Sequence, residues 1–257
     1  MLKFPHLIFS KARGYYCFMK IVWKNYIRYI LEFNIIIIGV LLSFYLDDLR
    51  LDREKNEYKD ILVEELLIAA QQDLDQIEKI KVDLNQVNRF IEDLLLDIED
   101  GEKDLTDKEI AEKYLFISNN MSTSFFPQNG TFNQLIATGS MELIDSKDFR
   151  RALLNNYTHY YERNNALNRS LDDLSLELVS NVDPKILVIS GRGDSTTFIY
   201  TEAVLKSYEI DQKFYLSNLL RAYLMEISVY QNFYLDMLET FGKSYDSIIA
   251  FANDEIS

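Results

Sequence analysis

The chain has 257 residues, of which 48% are hydrophobic and 26% charged, and its single cysteine, Cys17, excludes an intrachain disulfide and a cysteine zinc framework. Only 8 glycines and 3 prolines interrupt it, which favours long helices over a sheet rich in turns. The predicted fold class is mainly α, with one N-terminal transmembrane helix followed by a long helix and an antiparallel helical bundle.

Charge is distributed unevenly along the chain. The net charge is −14, yet residues 1–31 contain six basic and no acidic residues, so residues 32–257 carry −20. We expect residues 1–26, a basic tail with interleaved aromatics, to lie at a membrane surface. We expect the acidic remainder not to bind nucleic acid, because phosphate neutralisation needs clustered Lys and Arg.

Residues 27–46 read IRYILEFNIIIIGVLLSFYL, which predicts a transmembrane anchor. Twenty helical residues at about 1.5 Å each match a hydrocarbon core of roughly 30 Å. The Ile, Leu, Val and Phe residues favour insertion by roughly 4 to 8 kcal/mol, and charges near one end cost less than the roughly 3 kcal/mol of a central charge. The alternative is a buried core helix of a soluble protein, because the uncharged run, 33–46, is short.

Five residues are the candidate site residues of this anchor: Arg28, Glu32, Asn34, Gly39 and Ser43. Arg28 and Glu32 are spaced i, i+4 and can form an ion pair. Glu32 either stays in this interfacial pair, contacts another anchor helix, or has a specific role in helix association. Asn34, Gly39 and Ser43 would permit close contact between helices.

The segment also resembles a secretory signal, since a basic region precedes an apolar one. No A-x-A-like cleavage site follows, and the run ends directly in Asp47 and Asp48, which predicts an uncleaved signal anchor. The positive-inside rule then leaves the N-terminus in the cytoplasm and residues 47–257 in the periplasm. The predicted location is the cytoplasmic (inner) membrane, crossed once.

A long amphipathic helix is expected directly after the anchor. Apolar residues alternate at spacings of three and four along Ile77, Ile80, Leu84, Val87, Ile91, Leu94 and Ile98. A second apolar row, Leu62, Leu66, Ala70 and Leu74, extends this stripe upstream, so one helix is predicted to run from the membrane to about Ile98. Such a stripe can pair with a second chain as a coiled coil or pack within one chain as a bundle.

Capping and breaking residues delimit the remaining elements. These are a helix from the Thr106–Glu109 capping box to about Ile117, a loop over 119–130, a short helix over 131–139, a long helix from Ser146 to Asp183, a strand or extended arm at KILVIS from Lys185, and a final helix over 211–251.

The chain presents little recognisable chemistry. His6 and His159 are its only histidines, so no zinc set or nucleophile triad can be assembled from the sequence pattern. Carboxylates recurring along helices are typical of a solvated face. The sequence assigns no catalytic, cofactor-binding or metal-binding residue, predicts no cofactor, and leaves the question of an enzymatic activity open.

Two stretches resemble a bacterial domain-of-unknown-function family of short single-span membrane proteins: EFNIIIIGVLLSFYLDDLRLDREKNEY from Glu32 and FNQLIATGSMELIDSKDFRRALLNNY from Phe132. Asp47 and Asp48 stand where that family ends its apolar run in polar residues, and Leu49 stands where it tends to have Trp. The resemblance implies an envelope protein with a helical extracytoplasmic body and implies no activity.

Two functions are compatible with these features. The first is an uncharacterised, non-enzymatic interaction or scaffolding module of the envelope, whose partners are the lipid bilayer, an unknown envelope protein and a second copy bound through the anchor or the long helix. The alternative is an extracytoplasmic enzyme or small-ligand receptor with a pocket between helices, lined by tyrosines and by carboxylates such as Glu142, Asp145 and Asp148.

Overall fold

A computed structural model describes the backbone of residues 7–100, 104–192 and 203–256, and the side chains of 26–100, 104–191 and 203–256. The protein is mainly helical, as predicted, and its described residues include one small two-stranded sheet. It divides into two compact units, residues 1–57 and 58–257.

Helix α1 spans Leu7–Asp100, 94 residues without a break. All three prolines of the chain lie outside it, so nothing in the sequence interrupts its hydrogen-bond ladder. Just beyond the apolar segment, Arg50 forms ion pairs with Asp47 at 3.1 Å and Glu54 at 3.7 Å along the helix surface. The prediction of one helix running through to about Ile98 is confirmed.

The predicted apolar stripe on α1 faces the interior of the unit 58–257. Each of its seven members from Ile77 to Ile98 is at most 7% exposed. The upstream row needs one correction: Leu62, Leu66 and Ala70 are buried, but Asp73 is the next fully buried side chain, and Leu74 is only partly buried. Because the chain's own core covers this stripe, it is not free to form a coiled coil with a second chain.

Helix α2, Asp107–Asn120, begins at the predicted capping box. Thr106 Oγ1 accepts from the backbone N–H of Glu109 at 3.3 Å, and Glu109 Oε2 accepts from the backbone N–H of Thr106 at 2.8 Å. The helix runs three residues further than predicted. A loop then leads to α3, Gly130–Ala137, which ends before Gly139, whose positive φ of 74° suits a residue without a Cβ.

We expect Thr106→Ala to lower the free energy of unfolding by about 1 kcal/mol, because the first turn of α2 would lose a side-chain acceptor. Urea denaturation of the full-length protein in detergent, followed by far-UV circular dichroism, measures this change. Ser170→Ala is the matched control, because its hydroxyl donates to the Ala166 carbonyl in mid-helix and caps nothing. Equal losses in both variants would contradict a capping role for Thr106.

The helix predicted from Ser146 to Asp183 is divided into three segments. Ser146 Oγ accepts from the N–H of Phe149 at 3.1 Å and starts α4, Lys147–Leu154. A π-helical segment, Asn155–Tyr160, follows, and α5 continues over Tyr161–Asn181. A wider turn accommodates one extra residue, which apolar periodicity did not reveal.

The strand predicted at KILVIS is present, but it is not an unpaired arm. Strand β1, Ile186–Arg192, pairs antiparallel with β2, Ala203–Ile210, a partner that the sequence analysis did not identify. Ile186 lies opposite Ile210, and a register shift occurs after Ile189. The hairpin packs against α2.

The final helix begins later than predicted. Asp211 Oδ1 caps a short helix α6, Gln212–Tyr215, and Ser217 then caps α7, Asn218–Glu255. Leu219 is 53% exposed, and the adjacent Leu220 is buried.

Two hydrophobic clusters form the interior of this unit. The first joins α1 residues 62–84 with α7 residues 234–252, together with α3, α4 and the loop after α2. The second joins α1 residues 87–98 with α7 residues 220–227, together with α2, the end of α5 and the hairpin. Residues 62–84 of α1 thus share a core with the C-terminal half of α7, and residues 87–98 of α1 share a core with its N-terminal part.

Candidate functional site

The apolar segment of α1 is exposed along its whole length. Among the residues that the structure describes, one helix is long and apolar enough to cross a membrane, with a mean hydropathy of 2.0 over its most apolar 18-residue window. None of that window is buried, and Ile35, Ile36 and Phe44 are each more than 60% exposed. Among the described residues, the segment therefore packs into neither hydrophobic cluster, unlike the core helix considered as an alternative.

Three polar side chains of this segment, Arg28, Glu32 and Asn34, are paired within the helix. Arg28 Nε donates to Glu32 Oε1 at 2.8 Å, the ion pair expected from their spacing. Asn34 Nδ2 donates to the carbonyl of Ile30 at 2.8 Å. Each pairing partly satisfies a group that would be costly to place in hydrocarbon.

Four of the five candidate anchor residues share one helix face. At 100° per residue, Arg28, Glu32, Gly39 and Ser43 fall within about 60° of one another, whereas Asn34 lies on the other side. No atom lies within 4 Å of a Cβ placed on Gly39, so the space beside it is open. The helix thus places all of these residues except Asn34 on one face, spread along its length.

A network of buried polar groups lies in the unit 58–257, and Asp73 on α1 is its centre. Its Oδ2 accepts from the Tyr245 hydroxyl at 2.7 Å and from the backbone N–H of Gln128 at 2.9 Å. Burial raises the pKa of Asp73, and these hydrogen bonds oppose the rise. Burial also raises the pKa of Tyr245, which stays protonated and donates. The network therefore ties α1 to α7 and to the loop after α2.

Side chains also hold Phe125, the buried residue of that loop. Its backbone N–H donates to the Tyr234 hydroxyl at 2.6 Å, and its carbonyl accepts from Asn164 Nδ2 at 3.0 Å. Its ring packs edge-on against Phe241 at 5.3 Å. Phe126, by contrast, is 68% exposed, so the two adjacent aromatics have opposite environments.

The π-helical segment directs Asn156 and Tyr157 into the same interior. Both are buried, and both lie near Tyr245, but neither reaches hydrogen-bond geometry with it. Tyr157 stacks on Phe132 at 4.9 Å. Buried amide and hydroxyl groups without a hydrogen-bond partner are uncommon. π-Helical turns often occur at functional sites.

Two further tyrosines bind carboxylates between elements. Tyr215 of α6 donates to Asp97 of α1, and Tyr114 of α2 donates to Asp183, each at 2.6 Å. The Tyr215–Asp97 pair is buried and the Tyr114–Asp183 pair is partly buried, and both join distant parts of the chain. The Tyr–Asp contacts therefore help to fix the packing of the elements that they join.

A surface groove of about 530 Å³ lies between α4, the π-helical segment and α7. Asp148, one of the carboxylates predicted to line a pocket, does line it, whereas Glu142 and Asp145 do not. His159 is exposed beside the groove's wall. In the part of the chain that the structure describes, no three His, Cys, Asp or Glu side chains come together in an arrangement for a metal ion.

Sequence reasoning missed the buried network. One signal was available: Asp73 follows Ala70 by three residues and precedes Ile77 by four, so it occupies a position in the apolar stripe. Gln231 similarly lies between Ile227 and Tyr234 on the buried face of α7. A polar residue at a stripe position predicts a buried polar contact.

Comparison with known proteins places the chain in a family. No curated protein and no solved structure significantly matches it. A family model described as a family of unknown function matches residues 32–192, from the candidate anchor to the first strand of the hairpin. This match covers more than half of the sequence, so the chain belongs to the family of unknown function DUF6090.

Proposed function

We propose that this protein is a non-enzymatic interaction or scaffolding module of the bacterial envelope, held in the cytoplasmic membrane by residues 27–46. Residues 1–26 would lie in the cytoplasm, and residues 47–257 would form a helical bundle in the periplasm. The observation that supports this proposal is the exposed apolar segment of α1, which no core formed by the described residues covers.

The energetics of the segment support insertion over exposure to water. Its aliphatic and aromatic side chains are worth roughly 4 to 8 kcal/mol of insertion free energy, and the Arg28–Glu32 pair lies at its basic end. There the Arg28 side chain can reach the headgroups while it keeps its partner. The basic residues that precede the segment favour a cytoplasmic N-terminus.

Self-association is proposed to occur through the anchor and not through the stripe of α1. That stripe packs in the interior of unit 58–257, whereas the face with Glu32, Gly39 and Ser43 is exposed. Small residues let two helices approach closely in a bilayer, and a polar side chain adds a hydrogen bond between them. The second partner would be an envelope protein bound by the periplasmic unit.

Reporter fusions test the topology. A periplasm-dependent enzyme fused after Ser257 is expected to be active in a Gram-negative host, and the same enzyme fused after Leu2 is expected to be inactive, because only the C-terminus would lie outside. An active fusion at Leu2 together with an inactive one at Ser257 would overturn the proposed topology. Solubility of the unfused chain without detergent would overturn the anchor itself.

A small-ligand receptor is the second candidate, and the groove between α4 and α7 is the observation that favours it. Ligand sites of several hundred Å³ commonly occur between helices.

A further inference from the structure

The groove between α4, the π-helical segment and α7 has a distinctive set of charged lining residues. Arg151 of α4 and Lys243 of α7 line it from opposite walls, and Asp148 is the acidic residue that lines it. The chain as a whole is strongly acidic, at −14. Among the lining residues alone, cations outnumber carboxylates two to one, because Glu239, the partner of Lys243, lies outside the lining. On an acidic protein such a lining favours an anionic occupant.

Both cations are available to a ligand. Arg151 pairs with Asp148 at 2.9 Å and Lys243 pairs with Glu239 at 2.8 Å, each partner lying on the same helix. The Arg151 and Lys243 side chains are each 74% exposed, and ion pairs this exposed contribute little to stability. A ligand carboxylate or phosphate can therefore take over these donors at little cost to the fold.

The groove also has an apolar and aromatic component. Phe251 of α7 and Tyr160 at the end of the π-helical segment line it together with Ala152. Phe251 is partly buried and lies 6.2 Å from the ring of Phe149 in the core, so its position is fixed by packing. Rings held in this way provide a surface against which an organic group can lie.

The π-helical segment forms part of the wall. Asn155 and Tyr160, its first and last residues, line the groove, while Asn156 and Tyr157 between them point into the core. The wider turn thus places polar groups on both sides of one short segment. Such turns frequently mark functional sites, which is a second observation independent of the groove's charge.

We propose that this groove binds a small organic anion, whose carboxylate or phosphate is held by Arg151 and Lys243 and whose apolar part lies against Phe251 and Tyr160. Arg151 would supply a planar pair of N–H donors and Lys243 a point charge. This inference rests on the receptor candidate above and does not depend on the membrane anchor or on the side of the membrane that the groove faces.

Isothermal titration of the full-length protein in detergent with phenyl phosphate and with benzoate tests the proposal. We expect saturable binding of at least one of them at one site per chain, with benzyl alcohol, which is uncharged, not binding. Arg151→Gln/Lys243→Gln is expected to weaken that binding by about a hundredfold, since each lost charged hydrogen bond costs about tenfold. Tighter binding of phenyl phosphate would identify a phosphate ligand, and tighter binding of benzoate a carboxylate.

Lys108→Gln is the matched control, because Lys108 forms the same kind of i, i+4 pair with Glu112 outside the groove. It should leave the affinity unchanged. Hydrogen exchange should show ligand-dependent protection in 148–160 and 240–251. No saturable binding of either anion, or equal weakening in the control, would overturn the proposal. Because the two substituted groove side chains are exposed, the variant is expected to have an unchanged melting temperature. The reporter fusions test the membrane anchor separately, so failure of one proposal can be distinguished from failure of the other.

Discussion

Tyr245→Phe is expected to lower the free energy of unfolding by about 1 to 3 kcal/mol at pH 7, because it removes a hydrogen bond to the buried carboxylate of Asp73. The substitution keeps the ring that stacks on Phe241 at 6.1 Å, so packing is preserved. Asp73 would keep the Gln128 N–H as its main donor. The loss therefore measures the hydrogen bond and not a cavity.

The loss should also depend on pH. Burial holds the pKa of Asp73 above its ordinary value of 3.8, so its contribution to stability is complete below that value and is lost as the pH rises through the folded-state pKa. The Tyr245 hydroxyl opposes this rise by binding the charged form. Without it the pKa of Asp73 rises further, and the variant should be much closer to the wild type at acidic pH than at pH 7.

Urea denaturation at several pH values measures both effects. Tyr208→Phe is the control, because Tyr208 is an exposed tyrosine. Its free energy of unfolding should stay within about 0.5 kcal/mol of the wild type at every pH. The double variant Asp73→Asn/Tyr245→Phe should lose less than the sum of the two single variants. If Tyr245→Phe lowered the free energy of unfolding by the same amount at every pH, the coupling to Asp73 would be contradicted.

The long helix was predictable because its signals are local. The stripe on α1 repeats at the helical period over many turns, and the Thr106 capping box lies within four residues of sequence. Such patterns specify an element and its buried face without knowledge of what it packs against.

The interior contacts were not predictable because their partners are far apart in sequence. Asp73 and Tyr245 are separated by 172 residues, and the sequence around either residue does not indicate that the other is its partner. The hairpin was missed for a related reason, since β2 is mostly exposed and lacks a continuous apolar run. Its assignment depends on pairing with β1.

Part of the candidate groove was predictable from local sequence, and part depends on contacts between distant residues. Asp148 was proposed from sequence as a pocket residue, but Arg151 and Lys243 were not, since a cation near an acidic neighbour on a helix reads as a solvated pair. Only the packing of α4 against α7 brings them to the same surface.

The largest effect is expected for Ile37→Lys/Val40→Lys in the middle of the apolar segment. Each lysine at the centre of a span costs about 2.5 to 3.5 kcal/mol, and each lost aliphatic residue removes roughly 0.3 to 0.6 kcal/mol, so the total penalty is about 6 to 8 kcal/mol. This is comparable with the insertion free energy of roughly 4 to 8 kcal/mol of the intact segment, so little or no net drive for insertion remains. We therefore expect the variant to move from the carbonate-washed membrane fraction to the soluble or degraded fraction.

Ile68→Lys/Val82→Lys provides the matched control for this change. Both residues are exposed, at 55% and 68%, and both lie on α1 outside the apolar segment, so the control has the same added charge on the same helix. It should remain in the membrane fraction, because neither position is proposed to enter hydrocarbon. If both double variants leave the membrane fraction, added charge alone determines the outcome. If both remain in it, residues 27–46 do not act as the anchor.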